Sequence, residues 1–280
     1  MIHRKIINRT VATRHDIGNL VTRAPPLTLL GPSPFLLIAH HGPQIFPPNN
    51  AGLPFEPHPH RGFETVTFIR QGGLLHEDSR SAARVVHAGG VQWMTAGSGV
   101  IHNESAPPEL RRDGGTLEML QLWLNLPSRL KGSPPRYVGV EADEIPAIRR
   151  DDGRVIVHLV AGTFDDRPGP VQSLTEATML VVDFKAGGRI ELPAPAGRDL
   201  FLYVVEGEIA IGNERIAPHT RLEFDHTGDG VMLSASSDAT IIFGHAPLIE
   251  EPVAARGPFV MTTADELMQA VLDYQAGRFA

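Results

Sequence analysis

The chain has 280 residues, 42% hydrophobic and 20% charged, with a formal net charge of −7. That is enough chain for one large or two medium domains around a sizeable core. The acidic balance argues against broad electrostatic binding of nucleic acid, which needs a basic face. No cysteine is present, so disulfides, thiolate nucleophiles and Cys-ligated zinc or iron–sulfur sites are excluded together. Any metal must be held by imidazole and carboxylate.

The opening segment, MIHRKIINRTVATRHDIGNL, is basic but has no apolar run of signal-peptide length. Nothing further on approaches the ~18 apolar residues of a spanning helix. A cytoplasmic protein is expected, with neither a membrane nor direct nucleic acid as partner. Strand-like runs follow at residues 35–39, 64–70, 91–95, 117–126, 155–161, 178–184, 200–205, 208–211 and 240–244. Turn signals separate them, such as Gln71-Gly72-Gly73, Ala88-Gly89-Gly90 and Thr227-Gly228-Asp229-Gly230. Short strands at this spacing, with few helical patterns between, predict an all-β sandwich or barrel.

Residues 127–136, PSRLKGSPPR, interrupt the strand pattern with prolines, a glycine and three basic residues. A linker is expected there. It divides the chain into an N-terminal domain over 1–130 and a C-terminal domain, with a terminal helix, over 131–280. FIRQGG at 68–73 and YVVEGE at 203–208 share a strand–glycine-turn grammar, which hints at a duplicated β-domain. The final segment, TTADELMQAVLDYQAGRFA, predicts a packing helix. Thr263 and Glu266 have capping-box spacing, Leu267, Ala270, Val271 and Tyr274 repeat at helical intervals, and Gly277 supplies a stop.

The chemistry concentrates in two short pairs. In PHPHRGFETVTF, His58 and His60 are alternate residues, and alternate residues of an extended segment project from one face. Prolines on either side of His58 favour that extended backbone. In TAGSGVIHNESAP, His102 and Glu104 form a second alternate pair after a glycine-rich turn. Two strands of one barrel would thus offer three imidazoles and a carboxylate, a set that suits Fe(II), Mn, Ni, Cu or Zn and leaves one or two coordination positions open. The plainer alternative makes His58 and His60 exposed loop residues, Glu104 a solvated charge and His102 a satisfied core imidazole. His76 and Asp78 fall on one side of another extended segment, either as a catalytic pair or as a polar turn. Gln121 and Trp123 alternate in an apolar strand, lining a pocket or bonding structurally. In the second half, His158, His219, His226 and His245 occur singly.

The HxH pair, the glutamate four residues after it and the later Gly-rich turn with its histidine resemble the cupin pattern: Gly52, His58, His60 and Glu64 match the first motif, Gly99 and His102 part of the second. Gly72 lies one residue beyond the usual closing glycine, and Gly97 occupies a proline position. PHPHRGFETVTF, VQWMTAGSGVIHNE, LQLWLNLP, PPRY and GPFVMTTADELMQAVLDYQAGRF are similar, block for block, to the pirin family. The likeness runs from GPSPFLLIAHHGP to the last helix. Ala39-His40-His41 departs from an Asp-His-Phe sequence common in that family.

The resemblance implies two tandem cupin barrels, the second metal-free. It implies one divalent ion on His58, His60, His102 and Glu104: usually iron, with manganese, nickel, cobalt, copper and zinc as alternatives. Glu64, the ordinary cupin ligand, then takes a supporting role, accepting a hydrogen bond from a ligand imidazole or from Arg61. The activity implied is O2-dependent cleavage of a quercetin-like flavonol, with Glu104 also the catalytic base. The alternative is a non-enzymatic, metal-dependent regulator of a partner enzyme or transcription factor.

Overall fold

A computed structural model describes residues 2–25 and 33–279. Gly31 and Pro32, which open the GPSPFLLIAHHGP block, lie outside the described residues. All nine predicted strand runs fall on strands, although Leu126 lies beyond its strand's end and Glu208 before its strand's start. Among the described residues, no helix is long and apolar enough to cross a membrane.

The chain divides into two compact units, each assembled from separate stretches. One comprises Arg14–Asp143 with Ile249–Ala280, the other Glu144–Leu248 with Met1–Thr13. This differs from a cut at residue 130 in three ways. The expected linker is part of the first unit, where Ser128–Leu130 forms a helical turn and Arg136–Val140 pairs with Val91–Thr95. The terminal helix belongs to the first unit as well, and the first thirteen residues belong to the second.

Each unit contains a seven-stranded and a four-stranded sheet. In the first unit, the larger sheet runs Arg136–Val140, Val91–Thr95, Phe63–Gln71, Gly115–Asn125, Phe35–Phe46, Thr22–Ala24, with Thr13–Arg14 at its edge. The smaller runs His58–His60, Val100–Ser105, Gly73–Asp78, Arg84–His87. The second unit repeats the plan. Ile6–Val11, Thr220–Phe224, Arg198–Glu206, Ala239–Pro247, Thr178–Phe184, Val155–Ala161 and Ala147–Arg150 form its larger sheet. Arg189–Pro193, Gly230–Ala235, Ile209–Ile211 and Glu214–Ile216 form the smaller.

The two interiors differ. By sheet order, Arg189–Pro193 and Gly230–Ala235 occupy the places of His58–His60 and Val100–Ser105. Their inward residues Ile190, Leu192, Val231, Leu233 and Ala235 join one apolar core with Leu202, Ile241 and Phe243. Removing that surface from water, at ~25 cal/mol per Å², makes the second interior a packed plug.

The terminal helix, Ala264–Gln275, starts as predicted: the Thr263 hydroxyl accepts from the Glu266 N–H, and the Glu266 carboxylate accepts from the Thr263 N–H. Its buried Ala270 packs with Phe259, Met261 and Phe279. Asp273 accepts from Arg61 at 2.7 Å, fastening the helix to the residue after His60. Gly62 has φ +87°, and a side chain there would place Cβ 1.9 Å from the Val260 carbonyl oxygen. Lys131, from the expected linker, is instead buried, and its ammonium donates to Gly62 O, Asn125 Oδ1 and Val260 O at 2.7–2.9 Å. Burial lowers its pKa to about 8.

Candidate metal centre

His58 and His60 lie on the short strand His58–His60, which pairs antiparallel with Val100–Ser105 so that His102 stands directly opposite His58. Extended backbone turns both members of the HxH pair to one face. The ligand-capable nitrogens of His58, His60 and His102 all lie within 4.8 Å of one another, and the Nε2 atoms of His58 and His102 are 3.0 Å apart. Two imidazole nitrogens bound at right angles, each ~2.1 Å from an ion, are separated by about 3 Å. The spacing fits adjacent ligands on one metal.

The tautomers agree. His58 Nδ1 lies 2.7 Å from Glu56 O, and His60 Nδ1 lies 3.4 Å from Pro258 O. Carbonyl oxygens only accept, so each Nδ1 carries the hydrogen and each Nε2 keeps its lone pair for a metal. His60 Nε2 is buried without a protein partner among the described residues. Burial, reinforced by His58, lowers the His60 pKa to about 3. Burial and the neighbouring His60, His58 and His76 hold His102 well below its ordinary value. His60 and His102 therefore prefer the neutral form that ligation requires.

Glu104 lies two residues beyond His102 on the same face and is also buried. It is not part of the 4.8 Å group. Its two oxygens accept from Gln121 Nε2 at 3.0 and 2.7 Å, and Oε1 accepts from Thr67 Oγ1 at 3.2 Å. Trp123 Nε1 donates to Gln121 Oε1 at 3.1 Å. An indole N–H can only donate, so this bond fixes the orientation of the Gln121 amide and turns its NH2 toward Glu104. Gln121 and Trp123 thus form one relay that holds the carboxylate. Thr67, which completes it, had no distinguishing sequence signal except its place on the inward face of a strand.

Glu64 does not take the supporting role expected of it. Alternation places it on the face opposite Thr65 and Thr67, where Thr95 Oγ1 donates to its Oε1 at 2.6 Å. Burial raises its pKa. Arg61 pairs with Asp273 instead, and the His60 Nδ1 contact goes to a backbone carbonyl.

His76 and Asp78 are brought into the interior. They are cross-strand partners of Glu104 and His102, and His76 Nε2 lies 2.8 Å from Asp78 Oδ2. The His76 ring stacks on Tyr137 at 3.9 Å and 4°, and lies 5.4 Å from the His102 ring. Burial would raise the Asp78 pKa, but bonds from His76, Ser81 and two backbone N–H groups hold it below its ordinary value. In the departing Ala39-His40-His41 segment, His40 pairs with Glu118 at 2.9 Å, and His41 Nδ1 meets Thr22 Oγ1 at 2.9 Å.

Two barrels of this strand order, the first with imidazoles converging inside it, define a double cupin. A family model described as Pirin matches residues 20–124, and one described as Pirin C-terminal cupin domain matches residues 179–280. "Putative quercetin 2,3-dioxygenase PA2418" of Pseudomonas aeruginosa is 38% identical over 247 residues, 88% of this chain and 86% of that protein. A "Pirin-like protein" of Caulobacter vibrioides is 39% identical over 226 residues, 80% of each chain. The crystal structure of a quercetin 2,3-dioxygenase from Acinetobacter baumannii matches with a TM-score of 0.91 at 31% identity, covering 99% of both chains. The chain belongs to the pirin family.

Proposed function

We propose that this pirin is a metal-dependent dioxygenase that cleaves quercetin-like flavonols with O2 in the cytoplasm. The observation carrying this reading is the convergence of three imidazoles, His58, His60 and His102, on one point, with the buried Glu104 two residues beyond His102 on the same strand face. The printed names of the relatives support the substrate class. When bound, a divalent ion, iron foremost, supplies an anchor for the deprotonated substrate oxygen and an electron path to O2.

The protein's own part begins with Glu104, the fourth ligand and the base that takes the flavonol hydroxyl proton. Gln121 and Thr67 hold its oxygens in place, so little reorganisation is needed at the moment of transfer. Trp123 lies edge-on to His60 at 5.4 Å and over Phe63 at 4.4 Å. These rings give an aromatic substrate an apolar wall.

The test is to load the full chain separately with iron, manganese, nickel, cobalt or copper and follow loss of quercetin absorbance in air. Turnover with at least one metal, abolished by Glu104→Gln while part of the metal is retained, is the expected result. Full activity in Glu104→Gln would remove the base assignment. Absence of turnover with every metal would overturn the enzymatic reading and favour a regulator that binds a partner protein.

A further inference from the structure

The second barrel is apolar inside, but one end of its inward face is polar. Along Ala239–Pro247 the inward residues are Ala239, Ile241 and Phe243, all in the core, and by alternation the next is His245. His245 pairs with Thr178 on one side and Leu200 on the other. Thr178 and Arg198 likewise extend the inward series Leu180–Val182–Phe184 and Leu200–Leu202–Val204 on their own strands. The last layer of the barrel is therefore Thr178, Arg198 and His245. It borders a cavity of about 550 Å³ that Val171, Glu176 and Pro195 also line.

The hydrogen-bonding directions in this layer are fixed. Arg198 Nε donates to His245 Nδ1 at 3.0 Å. A guanidinium has no lone pair to offer, so Nδ1 is the acceptor and the neutral ring carries its hydrogen on Nε2. His245 is 7% exposed, its ring lines the cavity, and Nε2 has no partner among the described residues. Burial, followed by the charges of Arg198 and Arg4, lowers its pKa to about 3, which keeps the ring neutral. Arg198 Nη2 donates to the Glu176 carbonyl at 2.6 Å, and its own carbonyl accepts from Arg4 Nη1 at 2.7 Å. The guanidinium is thus gripped on both sides while Nη1 has no protein acceptor among the described residues. An imidazole N–H and a fixed cation border one cavity with no acceptor for them among the described residues.

We propose that this end of the second barrel binds a small monocarboxylate between Arg198 and His245, with its apolar body against Val171 and Pro195. One carboxylate oxygen takes the Arg198 Nη1 hydrogen and the other the His245 Nε2 hydrogen, a two-donor fork that matches carboxylate geometry. The exposed Glu176 beside the cavity repels a dianion more than a monoanion, so inorganic phosphate should bind more weakly than a monocarboxylate.

The experiment is isothermal titration of the full chain with sodium benzoate, alongside benzamide (the same shape without the charge) and inorganic phosphate. Saturable binding of benzoate is expected, with benzamide and phosphate weaker by about tenfold or more. Three variants assign the donors. Arg198→Gln removes the cation and weakens benzoate by about tenfold or more. His245→Asn keeps an acceptor for Arg198 but loses the far donor, so binding falls. His245→Gln, whose amide nitrogen reaches the Nε2 position, restores it. A purely structural His245 would give the opposite order, with Asn rescuing and Gln failing. Metal affinity of the first barrel stays unchanged in all three. If Arg198→Gln does not fold, the Asn–Gln pair still decides. No saturable benzoate binding, equal binding of benzamide, preference for phosphate, or unweakened binding by Arg198→Gln would each overturn the proposal.

Discussion

Gln121→Leu tests the relay beneath the metal centre. The substitution nearly conserves volume but removes the amide that donates to both Glu104 oxygens and accepts from Trp123. A hydrogen bond to a charged group is worth ~1.5–3 kcal/mol, and a buried donor left without an acceptor costs ~1–3 kcal/mol. Taking about 2 kcal/mol for the lost carboxylate bond and about 1 kcal/mol for the stranded indole N–H, the metal-free protein should lose about 3 kcal/mol. For a unit of this size that is a fall in Tm of about 6–12 °C. The functional effect is separate. Glu104 keeps only the weaker Thr67 contact, and losing a residue that orients a ligand lowers metal affinity by about 10–100-fold. Thermal melts of the metal-free protein measure the first quantity, and competition with a chromophoric chelator measures the second. If Gln121→Leu melts lower but holds metal as tightly as wild type, Gln121 stabilises the barrel without positioning a ligand. That outcome would refute the fourth-ligand assignment of Glu104.

Three further outcomes follow from the same geometry. His60→Leu removes a buried nitrogen that has no protein partner among the described residues, together with the long 3.4 Å contact from Nδ1 to Pro258 O; relief of the unpaired nitrogen outweighs that long contact, so metal-free stability should rise by about 1 kcal/mol or less, while the increase in Tm on adding metal disappears. A metal-free Tm below wild type would contradict this. Asp273 is held at about 2, below its ordinary 3.8, chiefly by Arg61 and then by Gln269 and Arg278. A depressed carboxylate stabilises the fold above the unfolded-state pKa, and that contribution fades as pH falls from 3.8 through about 2. Melts at graded pH should therefore show a steeper acid loss in wild type than in Asp273→Asn, and parallel curves would exclude the linkage. Gly62→Ala drives Cβ into the Val260 carbonyl at positive φ and should cost about 3 kcal/mol or more, read by denaturant melts; a near-neutral effect would mean the 258–262 segment shifts freely.

Local rules recovered much of this molecule. The alternation of His58 with His60, and of His102 with Glu104, needs only the two-residue period of a strand. The Thr263–Glu266 cap needs only helix geometry. What the chain concealed depends on contacts between distant segments. Pro258, which orients His60, is 198 residues away from it. Lys131 looked like linker because its three acceptors, Gly62, Asn125 and Val260, meet only in the folded barrel. Glu64 had suitable spacing but the wrong parity, which its odd offset of three positions from Thr67 makes visible in retrospect. His245 occurred as an isolated histidine. Its significance depends on Arg198, 47 residues earlier on the neighbouring strand, whose side chain fixes its tautomer.

The interleaving of the two units constrains the order of assembly. Ile249–Ala280 belongs with Arg14–Asp143, so the barrel that carries the imidazole cluster is incomplete until residues 249–280 have followed the other unit off the ribosome. Glu144–Leu248, by contrast, already has residues 1–13 waiting when it emerges. The later-coded barrel should thus become protease-resistant first during synthesis, and metal should be captured last. Fragments split at 143/144 should be soluble only when made together, because each carries a strand or helix that belongs to the other.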